Sequence, residues 1–234
     1  MKTIASQTSH KRIRTITIVL ALLVLPLLLE SAVSAQSAYP PAPHLAAQWW
    51  QWALETPTSV NPLTDETGQF AAVNQPRGHV WFLAGNQGGT TVRTVTIPAG
   101  KALFFPVANT FDVENGTATG VGTGGKVFFA KNPLQTAQAL VADIIATASD
   151  LFCQVDGRDV AITSANLEQS NPFALQLPTD NILQVQRGVY SPAVDSGYYV
   201  LIPPLSRGQH MIRFSGSIAF FNFSLDVTYN ITIQ

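Results

Sequence analysis

Side chains able to do acid–base or metal chemistry are few and scattered in this sequence. Beyond the first forty residues there are three histidines, His44, His79 and His210, and one cysteine, Cys153. His79 shares an alternation phase with Trp81, and His210 shares one with Ile212 and Phe214. Imidazole and carboxylate groups ligate zinc or copper when two or more converge from different elements. The eligible set is His79, His210, Asp112, Glu114 and Asp195. The same groups suit a secreted hydrolase, with His79 or His210 beside an Asp or Glu, or with Asp112/Glu114 and Asp195 as two carboxylates flanking a glycosidic bond. Asp112 and Glu114, two apart in a Gly/Thr/Asn-rich stretch, offer the oxygen ligands that Ca²⁺ prefers, but without the spacing of a recognised calcium loop. Each has a plainer reading beside it: a solvated loop acid, or a hydrogen-bonded histidine at a strand rim.

No His-Glu-x-x-His, Cys-x-x-Cys, Gly-x-Ser-x-Gly, phosphate-loop or dinucleotide fingerprint is present. The run Gly120-Val121-Gly122-Thr123-Gly124-Gly125 lacks a strand-turn-helix setting and reads as a loop. Cys153 alternates with Leu151 and Val155, which suits a buried thiol better than a nucleophile. Asn115, Asn222 and Asn230 each begin a glycosylation sequon, but strand alternation already accounts for the last two. The residues specify no cofactor.

Three of the four tryptophans sit in one helical segment, predicted over His44–Glu55. Leu45, Trp49 and Trp52 form a stripe, and Ala46, Trp50 and Ala53 widen it. Thr56-Pro57 ends it. These rings either clamp the helix onto a sheet or, with Trp81, form an aromatic platform for a sugar ring or another apolar ligand: Trp49, Trp50, Trp52 and Trp81. The helix carries no Lys or Arg, which argues against a membrane surface.

The framework around these residues is written mostly in period two. From Phe221 to Gln234 every odd position is apolar and every even one polar, the pattern of a strand with one dry and one wet face. At roughly 3.3 Å per residue the run would span about 45 Å, so a bend, a bulge or service in two sheets is expected. Further strands are predicted over 79–84, 91–97, 101–107, 127–130, 173–177, 182–186, 198–202 and 209–215. Asp156-Gly157 turns a hairpin between 151–155 and 158–162. Lys101–Val107 is apolar on both faces, so it is covered twice. Segments 61–78 and 109–125 read as loops. Asn132-Pro133 starts a second amphipathic helix that closes near Ser149. The expected fold is mainly β: a sandwich or jelly roll of antiparallel sheets with two covering helices.

Residues 1–35 read as a signal peptide. Lys2, Lys11, Arg12 and Arg14 precede an apolar stretch over 16–29, and Val33-Ser34-Ala35 offers a cleavage site. The apolar run is shorter than the roughly 20 residues of a spanning helix. Cleavage would leave residues 36–234 as one domain, with no membrane anchor. Without Glu30 and those four basic residues, nine Lys/Arg face thirteen Asp/Glu. No basic patch remains, which argues against nucleic acid as a partner. One cysteine allows no internal disulfide.

Several stretches together resemble a group of exported bacterial proteins of uncharacterised function. They are W-W-Q-W-A-L at 49–54, V-W-F-L-A-G at 80–85, I-P-A-G-K-A-L-F-F-P-V at 97–107, S-P-A-V-D-S-G-Y-Y-V at 191–200 and L-D-V-T-Y-N-I-T at 225–232. The resemblance implies export to the periplasm or the exterior and a single domain, and it carries no catalytic residues. The expected function is a binding module for a carbohydrate, an envelope component or a protein. A secreted hydrolase and a purely structural surface protein are the alternatives.

Overall fold

The computed structural model describes residues 42–113, 118–120, 127–128 and 134–234. The leader over 1–35, residues 36–41, Glu114, the Asn115 sequon, residues 121–126 and the Asn132-Pro133 helix start lie outside the described residues. From Ala42 onward the described residues belong to one compact unit.

Helix α1 (Ala42–Glu55) begins two residues before the predicted start and ends where Pro57 requires. Strands β1 (Val80–Phe82), β2 (Gly89–Ile97), β3 (Ala102–Val113), β4 (Ala118–Gly120) and β5 (Val127–Phe128) follow. After helix α2 (Leu134–Ile145) come β6 (Ala148–Val155), β7 (Arg158–Asp159), β8 (Leu167–Gln169), β9 (Phe173–Leu177), β10 (Gly188–Ile202), β11 (Gly208–Ile218) and β12 (Phe223–Ile233). They build a mainly β, sandwich-like fold with two helices. One sheet runs β5-β4-β3-β10-β8, with β1 also on β3 and β9 also on β10; the other runs β2-β12-β11-β6-β7. The expected antiparallel sheets are in fact mixed, because β1 joins β3 and β2 joins β12 in parallel.

β3 carries the architecture. All twelve of its residues are buried. Leu103, Phe105 and Val107 face the second sheet, where Phe105 stacks on Phe214 with ring centroids 4.7 Å apart. Phe104, Phe111 and Val113 face α1 on the other side. The register with β10 slips between Tyr198 and Tyr199, opposite Pro106–Ala108. This bulge reverses the side-chain phase, which is why Phe105 and Phe111 point to opposite faces.

Several expectations change. The loop expected from Asn109 starts later, because Asn109, Thr110, Phe111, Asp112 and Val113 continue β3. No strand forms over 182–186. Asn181 instead accepts from the Val185 N–H and donates to the carbonyls of Pro178 and Val185, so its side chain supplies the partners that a neighbouring strand would have given. The long final run is shortened at its start by a 3-10 turn over Ala219–Phe221 and left-handed Asn222. From Phe223 it keeps register with β11 and β2 throughout, so there is no internal bend and it belongs to one sheet. Its alternation of buried and more exposed residues is as predicted.

Candidate functional site

The structure separates the predicted metal ligands. Asp112 pairs in register with Val194, and Asp195 with Phe111, so the two carboxylates leave neighbouring strands on opposite faces of one sheet. Asp112 lies on the face where Val194 packs against Ala137 and Val141 of α2, and its Oδ1 accepts from the Val113 N–H at 2.9 Å. Asp195 lies on the α1 face. His79 is exposed at the start of β1. Among the described residues no three His, Cys, Asp or Glu side chains are grouped closely enough to hold a metal ion. The expected set of His79, His210, Asp112 and Asp195 therefore does not converge, and Glu114 is outside the described residues.

The tryptophans form no open platform. Trp49, Trp50, Trp52 and Trp81 are all at least nine-tenths buried. Trp49 meets Trp50 edge-on at 5.0 Å and Trp52 at 6.2 Å, all inside the layer between α1 and the sheet. The Trp49 and Trp52 indole N–H groups donate to the carbonyls of Leu83 and Val73. Trp81 belongs to the core between the two sheets, on the other side of β1 and β3. The clamp reading is the one observed. The helix is also tied to the edge of β9, where Gln51 donates to the Ala174 carbonyl and Glu55 accepts from the Gln176 N–H.

Under these rings sits a sealed polar chain. Asn109 donates to the Tyr199 hydroxyl at 3.2 Å, and that hydroxyl donates to Asp195 Oδ2 at 2.5 Å. The Ser170 N–H reaches Asp195 Oδ1 at 3.2 Å. Burial pushes the Asp195 carboxyl up to about 6, against the pull of hydrogen bonds from Tyr199 and Ser170 and of the adjacent Trp50 indole. Burial, then the Asp195 charge, pushes the Tyr199 phenol well up. The Trp50 N–H stands close to this carboxylate but meets no acceptor at hydrogen-bond geometry. Asp195 is inaccessible to substrate and serves to order the layer under α1.

His210 lies elsewhere, at the start of β11. Its Nδ1 is 2.7 Å from Asp156 Oδ2, and Asp156 Oδ1 accepts from the Met211 N–H at 2.8 Å. Its Nε2 is 2.9 Å from the Ser206 carbonyl and 3.5 Å from the Ser206 hydroxyl. The hydrogen bond to Asp156 raises the His210 pKa; burial opposes this, and the Ser206 carbonyl and the Asp156 charge add to it. Burial pushes Asp156 up, but the bonds from His210 and Met211 outweigh it and hold the carboxyl low. Asp156, His210 and Ser206 have the composition of a catalytic triad without its chemistry. Both ring nitrogens lie within reach of acceptors, and the Ser206 carbonyl is nearer to Nε2 than the Ser206 hydroxyl is, an arrangement that favours the protonated ring over one poised to take the serine proton. His210 instead pins the Asp156-Gly157 hairpin tip to β11.

That tip walls a groove of about 450 Å³ on the outer face of the second sheet, lined among others by Thr94, Asp156, Gln209, Met211, Asn230 and Thr232. Strand register sets these side chains in rows. Thr94 stands beside Asn230, which stands beside Met211, and Thr232 stands beside Gln209. The floor offers hydroxyl and amide groups that both donate and accept. The sequence marks Asn230 and Thr232 as part of a wet strand face and of a glycosylation sequon. Asp156 was read only as a turn residue, and its partner lies 54 residues away.

No family model matches this chain, and no curated protein matches it. One solved structure, "Structure of PbICP-C in complex with falcipain-2", aligns over 67% of this chain and 100% of that one at 10% identity, with a TM-score of 0.24. A likeness that slight carries no argument. Among the described residues no helix is long and apolar enough to cross a membrane.

Proposed function

We propose that the protein is an exported bacterial binding module whose ligand is a carbohydrate, held in the groove over β2, β12 and β11. One observation carries this reading: hydroxyl and amide side chains stand in registered rows on the sheet beside the hydrogen-bonded Asp156 carboxylate. Sugar hydroxyls present alternating donors and acceptors, and Thr94, Thr232, Asn230 and Gln209 answer both. Met211 is 40% exposed there and adds an apolar patch for a pyranose face. The resemblance to exported proteins and the leader-like residues 1–35 support the address.

The test is a screen of neutral oligosaccharides followed by calorimetry on the best binder. Asn230→Ala combined with Thr232→Val weakens binding at least tenfold and leaves Tm within a degree or two, since both lie on the solvent side of β12. A double variant that binds like the wild type overturns the assignment. A hydrolase has one contact in its favour, that between His210 and Asp156. A serine-dependent version of it requires Ser206 to be labelled by a fluorophosphonate; we expect no labelling, because Nε2 is engaged by the Ser206 carbonyl.

A further inference from the structure

His210 faces two loops at once. On one side its Nδ1 is 2.7 Å from Asp156 Oδ2, at the tip of the β6–β7 hairpin. On the other its Nε2 is 2.9 Å from the carbonyl of Ser206, in the connection from β10 to β11. Both partners are acceptors, so bridging them needs a proton on each ring nitrogen, which only the imidazolium has. A neutral ring carries one N–H. It serves Asp156 or Ser206, and its lone pair then meets the other acceptor. The Ser206 hydroxyl stands 3.5 Å from Nε2, too long for a good hydrogen bond to that lone pair.

The hairpin that this ring holds has weak ties of its own. β7 is two residues long, both exposed, and it is the outermost strand of its sheet, paired with β6. Asp156 and Gly157 both have positive φ, 51° and 76°, the conformation of a tight hairpin turn. Besides the ring, Met211 holds the tip. The Asp156 N–H donates to the Met211 carbonyl at 2.9 Å, and the Met211 N–H donates to Asp156 Oδ1 at 2.8 Å. The same Asp156, His210 and Met211 line the groove over β2, β12 and β11. The ring that ties the tip therefore also sets the wall of the groove.

Few charges surround the ring. The hairpin brings Asp156, then Arg158, and Asp159, which accepts from Gln154. The connection from β10 to β11 brings Arg207, and β12 sets uncharged Asn230, Ile231 and Thr232 alongside. The hydrogen bond to Asp156 raises the ring above the ordinary 6.5; burial opposes it, and the Ser206 carbonyl and the Asp156 charge add to it. Burial pushes Asp156 up, but the bonds from His210 and Met211 and the charges of His210 and Arg158 hold it low. Asp156 thus stays ionised near neutral pH, and His210 is the group of the pair that changes charge there.

We propose that His210 is a proton-operated clasp on the groove: with both ring nitrogens protonated it joins the Asp156-Gly157 tip to the Ser206 turn, and loss of one proton parts that bridge and loosens the groove wall. Its effect on a ligand rests on the carbohydrate reading above. The folded protein holds the ring proton more tightly than the unfolded chain, so the clasp is closed below 6.5 and opens as pH rises through the higher folded value. The groove then takes its ligand more tightly in acid than in alkali. By linkage, a bound ligand tightens the hold of the ring on its proton.

The experiment is an NMR titration of the protein between about pH 5 and 9, following the His210 ring and the backbone amides of Gly157, Ser206 and Arg207. The ring titrates above 6.5, and the three amides move with the same midpoint. In His210→Gln, whose amide does not titrate, that shared midpoint is lost; if the variant does not fold, the wild-type titration decides. Calorimetry with the best oligosaccharide of the screen then reads the groove. The wild type binds at least about fivefold tighter at about pH 5.5 than at about pH 8.5, and His210→Gln binds equally at both. A ring that titrates at or below 6.5, or amides that do not follow it, overturn the clasp. So does an oligosaccharide that the wild type holds equally at both pH values. A shared midpoint in a protein that takes no oligosaccharide supports the clasp and counts against the carbohydrate reading alone.

Discussion

The Tyr199 hydroxyl donates a hydrogen bond to the carboxylate of Asp195, which is fully buried. Because burial raises Asp195 from 3.8 to about 6, the folded protein holds the carboxyl proton of Asp195 more tightly than the unfolded chain does. The associated stability is present below about pH 4 and is lost as pH rises through 6. The full difference is about 3 kcal/mol at one unit per 1.36 kcal/mol. Urea unfolding at pH 4, 5, 6 and 7 checks this. Asp195→Asn should gain on the wild type across that interval and then run parallel to it; a constant gap would show that ionised Asp195 is not penalised.

Tryptophan fluorescence tests the clamp directly. With Trp49, Trp50, Trp52 and Trp81 all buried, native emission should be blue-shifted, and iodide should quench it several-fold less than in the denatured chain. Quenching equal to that of free indole would mean that at least one ring is open to ligand.

Cys153 on β6 is buried, and burial raises its thiol to about 12. At pH 8 the native protein should therefore not react with a thiol reagent over an hour, and it should react fully in denaturant, because the thiolate is the reactive form. Rapid native labelling would show that the edge of the sheet near β7 opens.

Gly216 on β11 faces the β3 bulge at close range. A Cβ there would stand 2.7 Å from the Val107 carbonyl oxygen and 3.3 Å from Leu151 Cδ2. The obstacle is backbone, so Gly216→Ala should cost about 1–3 kcal/mol in chemical denaturation. Gly188→Ala, whose Cβ would meet only Tyr190 Cε2 at 3.7 Å, is the control and should stay within about 0.5 kcal/mol.

Elements with a strict local rhythm could be read from the chain alone. The alternation of β12, the Asp156-Gly157 hairpin and the tryptophan helix emerge as predicted, because period and turn chemistry are local properties. The second half of β3 was hidden because Asn109, Thr110 and Asp112 look like loop residues until a helix is placed over each side. The 182–186 segment looked like a strand because its apolar residues pack under α1, while the loop there is organised by Asn181 alone. Site residues fared worse. Asp156 and His210 meet across 54 positions, and no spacing rule reaches that far.

β12 is the last of these strands in chain order, yet it is an interior one, flanked by β2 and β11. During synthesis, Gly89–Ile97 therefore waits without a partner until more than a hundred further residues have been added. Only the β6-β7 hairpin and its pairing with β11 can form earlier, since β12 is the strand that joins β2 to them. Such wide separation of contacting segments slows folding. It also makes completion of the second sheet a late event in folding, with the inner apolar face of β2 unpaired until then.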